Sequence, residues 1–112
     1  MDEECIFCRI ANGELGTEFV VQSEHAVVFD DIAPSAPVHM LVVPKRHVSS
    51  LRELNDPTLA SELLALASSA AEARGLYDTG YRVITNDGEI AGQTVFHLHF
   101  HVLGGHRLGR MG

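Results

Sequence analysis

The chain has 112 residues and a formal net charge of −7, from 15 acidic against 8 basic side chains. Its 46% hydrophobic and 21% charged balance suits one folded domain over residues 1–112 and excludes a disordered chain. An acidic chain lacks the basic surface that a nucleic acid polymer needs, no run approaches the roughly 20 apolar residues of a membrane helix, and the acidic start Met1-Asp2-Glu3-Glu4 is unlike a secretory signal; a cytoplasmic protein is expected.

In chain order, the first feature is Cys5-Ile6-Phe7-Cys8. In a reducing compartment this pair is available for metal binding, redox chemistry or burial rather than a structural disulfide. Residues 10–16, with two glycines, read as a short turn region. Phe19-Val20-Val21 and Ala26-Val27-Val28-Phe29 are β-type runs around a polar Gln22–Glu24 segment, which suggests a hairpin. Asp31 and Ile32 enter a proline-bounded loop, and His39–Val43 reads as a buried strand halted by Pro44. Asp56 suits a helix N-cap, Pro57 the first helical position and Gly75 the stop. Between them Leu59, Leu63, Leu66 and Ala70 recur at helical spacing. Ser50–Leu54 adds an extra turn. Tyr81–Thr85 alternates before the turn signal Asn86-Asp87-Gly88, and a last strand is expected over Val95–Leu103. The pattern predicts an α+β fold: a mainly antiparallel five-stranded sheet, one long helix and a short one.

Three of the seven histidines, His97, His99 and His101, alternate with Leu98, Phe100 and Val102. Strand side chains alternate between faces, so three imidazoles, successive members about 7 Å apart, share one face and the apolar set packs under the helix. Spacing alone fits two chemistries. One is a zinc site whose bound water reacts; the other is imidazole acting as nucleophile or acid–base group at phosphorus. Gly92-Gln93-Thr94, with backbone N–H groups and a hydroxyl for phosphoryl oxygens, and Asp31, able to accept two ribose hydroxyls, tilt towards the second.

His97-Leu98-His99-Phe100-His101-Val102-Leu103 resembles the motif of the histidine triad superfamily. Cys5–Cys8, Phe29-Asp30-Asp31-Ile32, Pro44-Lys45-Arg46-His47, Asn86-Asp87-Gly88, Gly92-Gln93-Thr94 and Leu103-Gly104-Gly105 fall where its Hint branch has similar segments. The resemblance implies a homodimer joined through a continuous sheet. It also implies hydrolysis of purine nucleoside 5′-phosphoramidates. By the same resemblance His99 attacks the α-phosphorus, His101 donates to a phosphoryl oxygen, and Thr94 with the backbone around Gly92 and Gln93 holds the phosphate. Asn86 contacts the phosphate or ribose, Asp31 binds the ribose hydroxyls and Ile32 packs on the base. Cys5 and Cys8, completed by His47 and His97, would form a closed structural zinc site that catalysis does not need. His39 is expected to be structural; His25 and His106 belong to the surface. Rival readings are a zinc hydrolase, a dinucleoside polyphosphate hydrolase and a nucleotide-binding scaffold with incidental turnover. Thr94, where serine is usual, and a tail without the Trp-Pro-Pro ending depart from the animal Hint pattern and bear on the leaving group.

Overall fold

Valine-rich runs become strands when each can bury one or both faces. The computed structural model describes residues 5–111. These comprise α1 (Ile6–Ala11), β1 (Val21–Gln22), β2 (Ala26–Asp30), β3 (Val38–Pro44), α2 (Pro57–Ala73), β4 (Arg82–Ile84) and β5 (Phe100–Gly104), with a 3-10 turn at Leu51–Glu53. The strands form one sheet in the order β1-β2-β3-β5-β4, with every neighbouring pair antiparallel. The expected fold class and strand number hold. Among the described residues no helix is long and apolar enough to cross a membrane.

Register sorts the side chains into two layers. Val28 pairs with Val42, and Met40 with Val102; these pack with Phe100 beneath Leu59, Leu63, Leu66 and Ala70 of α2. Burying a leucine such as Leu63 contributes about 1.5–3 kcal/mol. Phe29 pairs with Leu41 and Val27 with Val43; this second face is covered by Phe7 and Ala11 of α1. His101 pairs with Leu41, so the histidines fall on the α1 face.

The ends of α2 follow their sequence signals. Asp56 accepts from the N–H groups of Thr58 and Leu59, both at 3.1 Å. At the other end Gly75, with φ 74°, lets Leu76 N–H reach the Ala71 carbonyl at 2.9 Å and its own N–H reach the Glu72 carbonyl at 3.0 Å, a Schellman stop.

Three expectations need correction. Residues 6–11 form the short helix, whose last two positions take the start of the turn region expected over 10–16: Cys5 caps α1 by accepting from Cys8 N–H at 3.2 Å, and Phe7 and Ala11 bury against the sheet. Phe19 and Val20 lie outside β1, although Val20 N–H still bonds the Val28 carbonyl at 2.7 Å. The last strand starts at Phe100 rather than Val95, because the backbone of 97–99 is bonded elsewhere.

The β1–β2 turn is fastened to α2 through one carboxylate. Glu62 accepts from Ser23 Oγ and from His25 N–H at 2.8 Å, and lies 2.9 Å from His25 Nδ1. Ser23, then His25, hold the Glu62 carboxyl down to about 2 from its ordinary 4.5; Glu62 in turn raises His25 above 6.5. The carboxylate contribution is present above 4.5 and is lost as pH falls towards 2. The histidine contribution is present below 6.5 and is lost as pH rises through the raised value. Glu62→Gln is therefore expected to reduce stability more at pH 5.5 than at pH 8.5, by a modest amount because His25 is exposed. Urea midpoints at the two pH values check this, and equal losses would reject it.

Candidate active site

The site lies on the α1 face where the chain enters β5. Of the three motif histidines only His101 is on a paired strand, opposite Leu41 of β3 and Ile84 of β4. The preceding residues stay extended through other bonds: Leu98 N–H reaches the Val48 carbonyl at 2.6 Å, and Thr85 Oγ1 donates to the His99 carbonyl at 2.7 Å. Alternation is kept, so Leu98, Phe100 and Val102 enter the α2 core.

His99 is 9% exposed, and its Nδ1 lies 2.7 Å from the His97 carbonyl. A carbonyl can only accept, so Nδ1 carries the proton and Nε2 the lone pair. Burial lowers the His99 pKa below 6.5, opposed by the His97 carbonyl and the Asp31 carboxylate. At neutral pH the ring is an uncharged imidazole with a nucleophilic Nε2.

A hydrogen-bond chain fixes His101 the other way round. Ser35 N–H donates to His39 Nδ1 at 2.9 Å. His39 therefore carries its proton on Nε2 and donates it to His101 Nδ1, also at 2.9 Å. His101 is left with its proton on Nε2. Burial first, then His99 and His39, push its pKa down to about 4, which makes it a neutral donor. Asp31 Oδ2 lies 3.4 Å from His39 Nε2, and its Oδ1 accepts from Ala33 N–H at 2.9 Å. Asp31, His39 and His101 bring metal-type atoms within 4.8 Å of one another. A hydrogen on His39 Nε2 leaves no lone pair there for an ion, so this group acts as a hydrogen-bond chain.

The second cluster has the opposite character. Donor atoms of Cys5, Cys8, His47 and His97 also lie within 4.8 Å of one another. His97 Nε2 bonds the Pro44 carbonyl at 2.8 Å, so its Nδ1 lone pair faces the cluster. Around that nitrogen stand Cys5 Sγ at 3.2 Å, Cys8 Sγ at 3.3 Å and His47 Nδ1 at 3.2 Å. One lone pair accepts one hydrogen, so three neighbours at nearly equal distance are arranged as ligands of a shared centre. The four residues can hold a metal ion. His97 is fully buried here; it stays on the α1 face with the other two imidazoles, as alternation requires, and its ring is turned to the cysteine cluster.

The HIT domain family matches residues 12–108. The chain belongs to the HIT family. A HIT-like protein of Synechococcus elongatus is 40% identical over 110 residues, covering 96% of each chain. The solved histidine triad protein of Clostridium difficile is 40% identical with a TM-score of 0.92, over 98% of this chain and 97% of that one. A structure named as a HIT family hydrolase from Legionella pneumophila gives 38% identity and a TM-score of 0.89, over 94% and 96%.

In this HIT protein Asp31 joins the His39–His101 chain, while Ile32 beside it is fully exposed. Gly92, at φ 106°, lies against Asn86: a side chain at 92 would come within 3.8 Å of Asn86 Nδ2. Thr85, next to Asn86, ties this loop to His99. Thr94 is exposed. The Gly92–Gln93 backbone differs from expectation: the N–H groups of Gly92 and Gln93 already bond the Glu89 and Gly88 carbonyls, both at 3.0 Å, and the Gln93 side chain is turned inward. Its Oε1 accepts from Gly88 N–H at 2.9 Å, and its Nε2 donates to the Ser49 carbonyl at 2.9 Å and the Val95 carbonyl at 3.1 Å. Removing this clamp leaves part-buried backbone groups without their partner, so Gln93→Ala is expected to cost about 1 kcal/mol in urea denaturation and to weaken nucleotide binding. Unchanged stability would show that the clamp is dispensable.

Sequence reading missed three contributors. His39 shares parity with Leu41 and Val43 on β3, a signal for its face but not for its partner. Thr85 and Phe7 gave no signal, because their contacts cross from separate segments.

Proposed function

We propose that this protein hydrolyses purine nucleoside 5′-phosphoramidates through a nucleotidyl group carried on His99. The supporting observation is the 2.7 Å bond from His99 Nδ1 to the His97 carbonyl, which leaves Nε2 with its lone pair beside a neutral donor. Nε2 attacks the α-phosphorus, the P–N bond breaks, and the amine departs with a proton from solvent. The retained Nδ1–H, held by the carbonyl, stabilises the positive charge that the ring acquires. Water then attacks phosphorus, the N–P bond to His99 breaks, a proton returns to solvent and the nucleoside 5′-monophosphate leaves. His101 Nε2–H donates to a phosphoryl oxygen. Its chain ends on the Ser35 backbone N–H, which orients the rings and supplies no proton. Asp31 takes the ribose hydroxyls and exposed Ile32 the base; Asn86 and Thr94 form the phosphate side, on a loop whose shape Gly92 and the Gln93 clamp set. The Legionella relative's name as a hydrolase is consistent with this reaction class.

Zinc suits the Cys5, Cys8, His47 and His97 cluster. Tetrahedral bonds of about 2.3 Å to sulfur and 2.0–2.1 Å to nitrogen place N···N and N···S pairs roughly 3.3–3.6 Å apart, close to the 3.2–3.3 Å spacings here. Four protein ligands leave no open position, so the ion's contribution is a structural cross-link. In a reducing cytoplasm, the location this reading takes for the protein, Cys5 and Cys8 stay available as thiolate ligands. A homodimer through a continuous sheet is supported by the outer edge of β4, where Val83 is exposed.

The test incubates pure protein with adenosine 5′-phosphoramidate, with and without chelator. AMP and an adenylated His99 peptide are expected in both arms. Complete loss on chelation would favour metal-bound water. Preference for diadenosine polyphosphates would favour the dinucleotide reading, and tight binding without turnover a binding module.

A further inference from the structure

The bond to the His97 carbonyl fixes one nitrogen of His99 but not the plane of its ring, since the terminal torsion of a histidine is soft. Other contacts have to set that plane; one is the His101 ring, with centroids 5.0 Å apart, which is itself held by His39. Phe7 stands against His99 with ring centroids 5.1 Å apart and planes at 88°, and it also meets His97 at 6.1 Å and Phe29 at 5.7 Å. Phe7 comes from α1, whose six residues are too few to hold a helix unaided. What flanks Phe7 on the chain is Cys5 and Cys8, the two sulfur members of the metal-type cluster.

We propose that Phe7 is a positioning residue through which the Cys5–Cys8–His47–His97 cluster, when it holds its ion, sets the plane of the His99 ring. This rests on the reading of His99 as the nucleophile. An ion bound by Cys5 and Cys8 pins the first turn of α1 to His47 and His97. That fixes where the intervening Phe7 lies, and the Phe7 ring then limits rotation of His99 about its single hydrogen bond. Without the ion α1 is held by apolar contacts and by thiol–imidazole hydrogen bonds that compete for the His97 Nδ1 lone pair, and the ring gains freedom. Attack at phosphorus is sensitive to such freedom, because misplacing a reacting group by about 1 Å can cost 10²-fold. Phe7 touches no reacting atom in this account, and its effect falls on the rate of adduct formation.

The test is a cycle of metal removal and Phe7→Leu, which keeps an apolar side chain of comparable size. The readouts are the imidazole NMR resonances of His99, amide exchange in α1, and kcat separated from KM. In the wild type, chelation is expected to speed exchange across residues 6–11 and to move the His99 ring resonances. In Phe7→Leu, chelation should leave those resonances where the substitution has already put them. With zinc bound, Phe7→Leu should lower kcat about tenfold with KM within about twofold. Three results would overturn the proposal. One is His99 resonances indifferent to chelation in the wild type. Another is an equal response in Phe7→Leu, which would route the effect through the His97 backbone alone. The third is a change confined to KM, which would mean that the ring touches the nucleotide instead. A wild-type protein that forms no adduct would refute the nucleophile reading separately, while the resonance cycle would still report whether Phe7 links cluster and ring.

Discussion

His99→Ala is expected to lose turnover of adenosine 5′-phosphoramidate by about 10⁴-fold or more, the scale seen when an attacking side chain is deleted, and to form no nucleotidyl adduct. The wild-type imidazole is poised by two things: burial that keeps it uncharged and the His97 carbonyl that keeps its proton off Nε2. No neighbour can replace it. His97 has its Nδ1 in the cysteine cluster, and His101 has its Nδ1 occupied by His39 and a proton on the other nitrogen. AMP binding should change far less, because Asp31, Asn86 and the Gly92 loop are untouched. His101→Ala separates the roles. It removes a donor to developing charge, so a loss of about 10²–10³-fold is expected, with the adduct still detectable by mass spectrometry. Turnover in purified His99→Ala within tenfold of wild type would end the covalent account, and isothermal calorimetry with AMP would show whether binding had survived.

The parts of this structure written in local periodicity were open to sequence reading. Leu98, Phe100 and Val102 alternate with histidines, and they enter the α2 core while His99 and His101 face the other way. Asp56 and Gly75 end α2 where their chemistry requires. What escaped depends on contacts between segments far apart in the chain. Helix α1 covers fewer than two turns, too few for a repeating stripe, and its reasons for existing, the sulfur cap and the burial of Phe7, lie in tertiary structure. His39 meets His101 only because β3 and β5 are adjacent although the two histidines stand 62 positions apart in the chain. The engagement of His97 with the cysteines has the same origin. A pleat fixes the face of a residue, but the depth of the cluster beneath it is set by Cys5, Cys8 and His47.

The second large effect concerns the ion itself. Zinc bound only by the folded state adds RT ln(1 + [L]/Kd), about 4 kcal/mol at a thousandfold excess over Kd. For a domain near 100 residues each kcal/mol moves the melting temperature by roughly 4 °C, so chelation is expected to lower it by roughly 15 °C. The loss should be local in origin. Cys8 lies 3.3 Å from both His47 Nδ1 and His97 Nδ1, so without an ion the groups round His97 must compete for one lone pair while α1 loses its anchor. Cys8→Ala should therefore melt near the chelated wild type and respond little to chelator itself, whereas the wild type should carry about one zinc per chain by metal analysis. The adduct on His99 should survive in both, because no ligand of the cluster is asked to touch phosphorus. If chelator leaves the wild-type melting curve in place and no zinc is found, Cys5 and Cys8 are packed thiols, and the second face of the sheet is held by Phe7, Ala11 and their apolar neighbours alone.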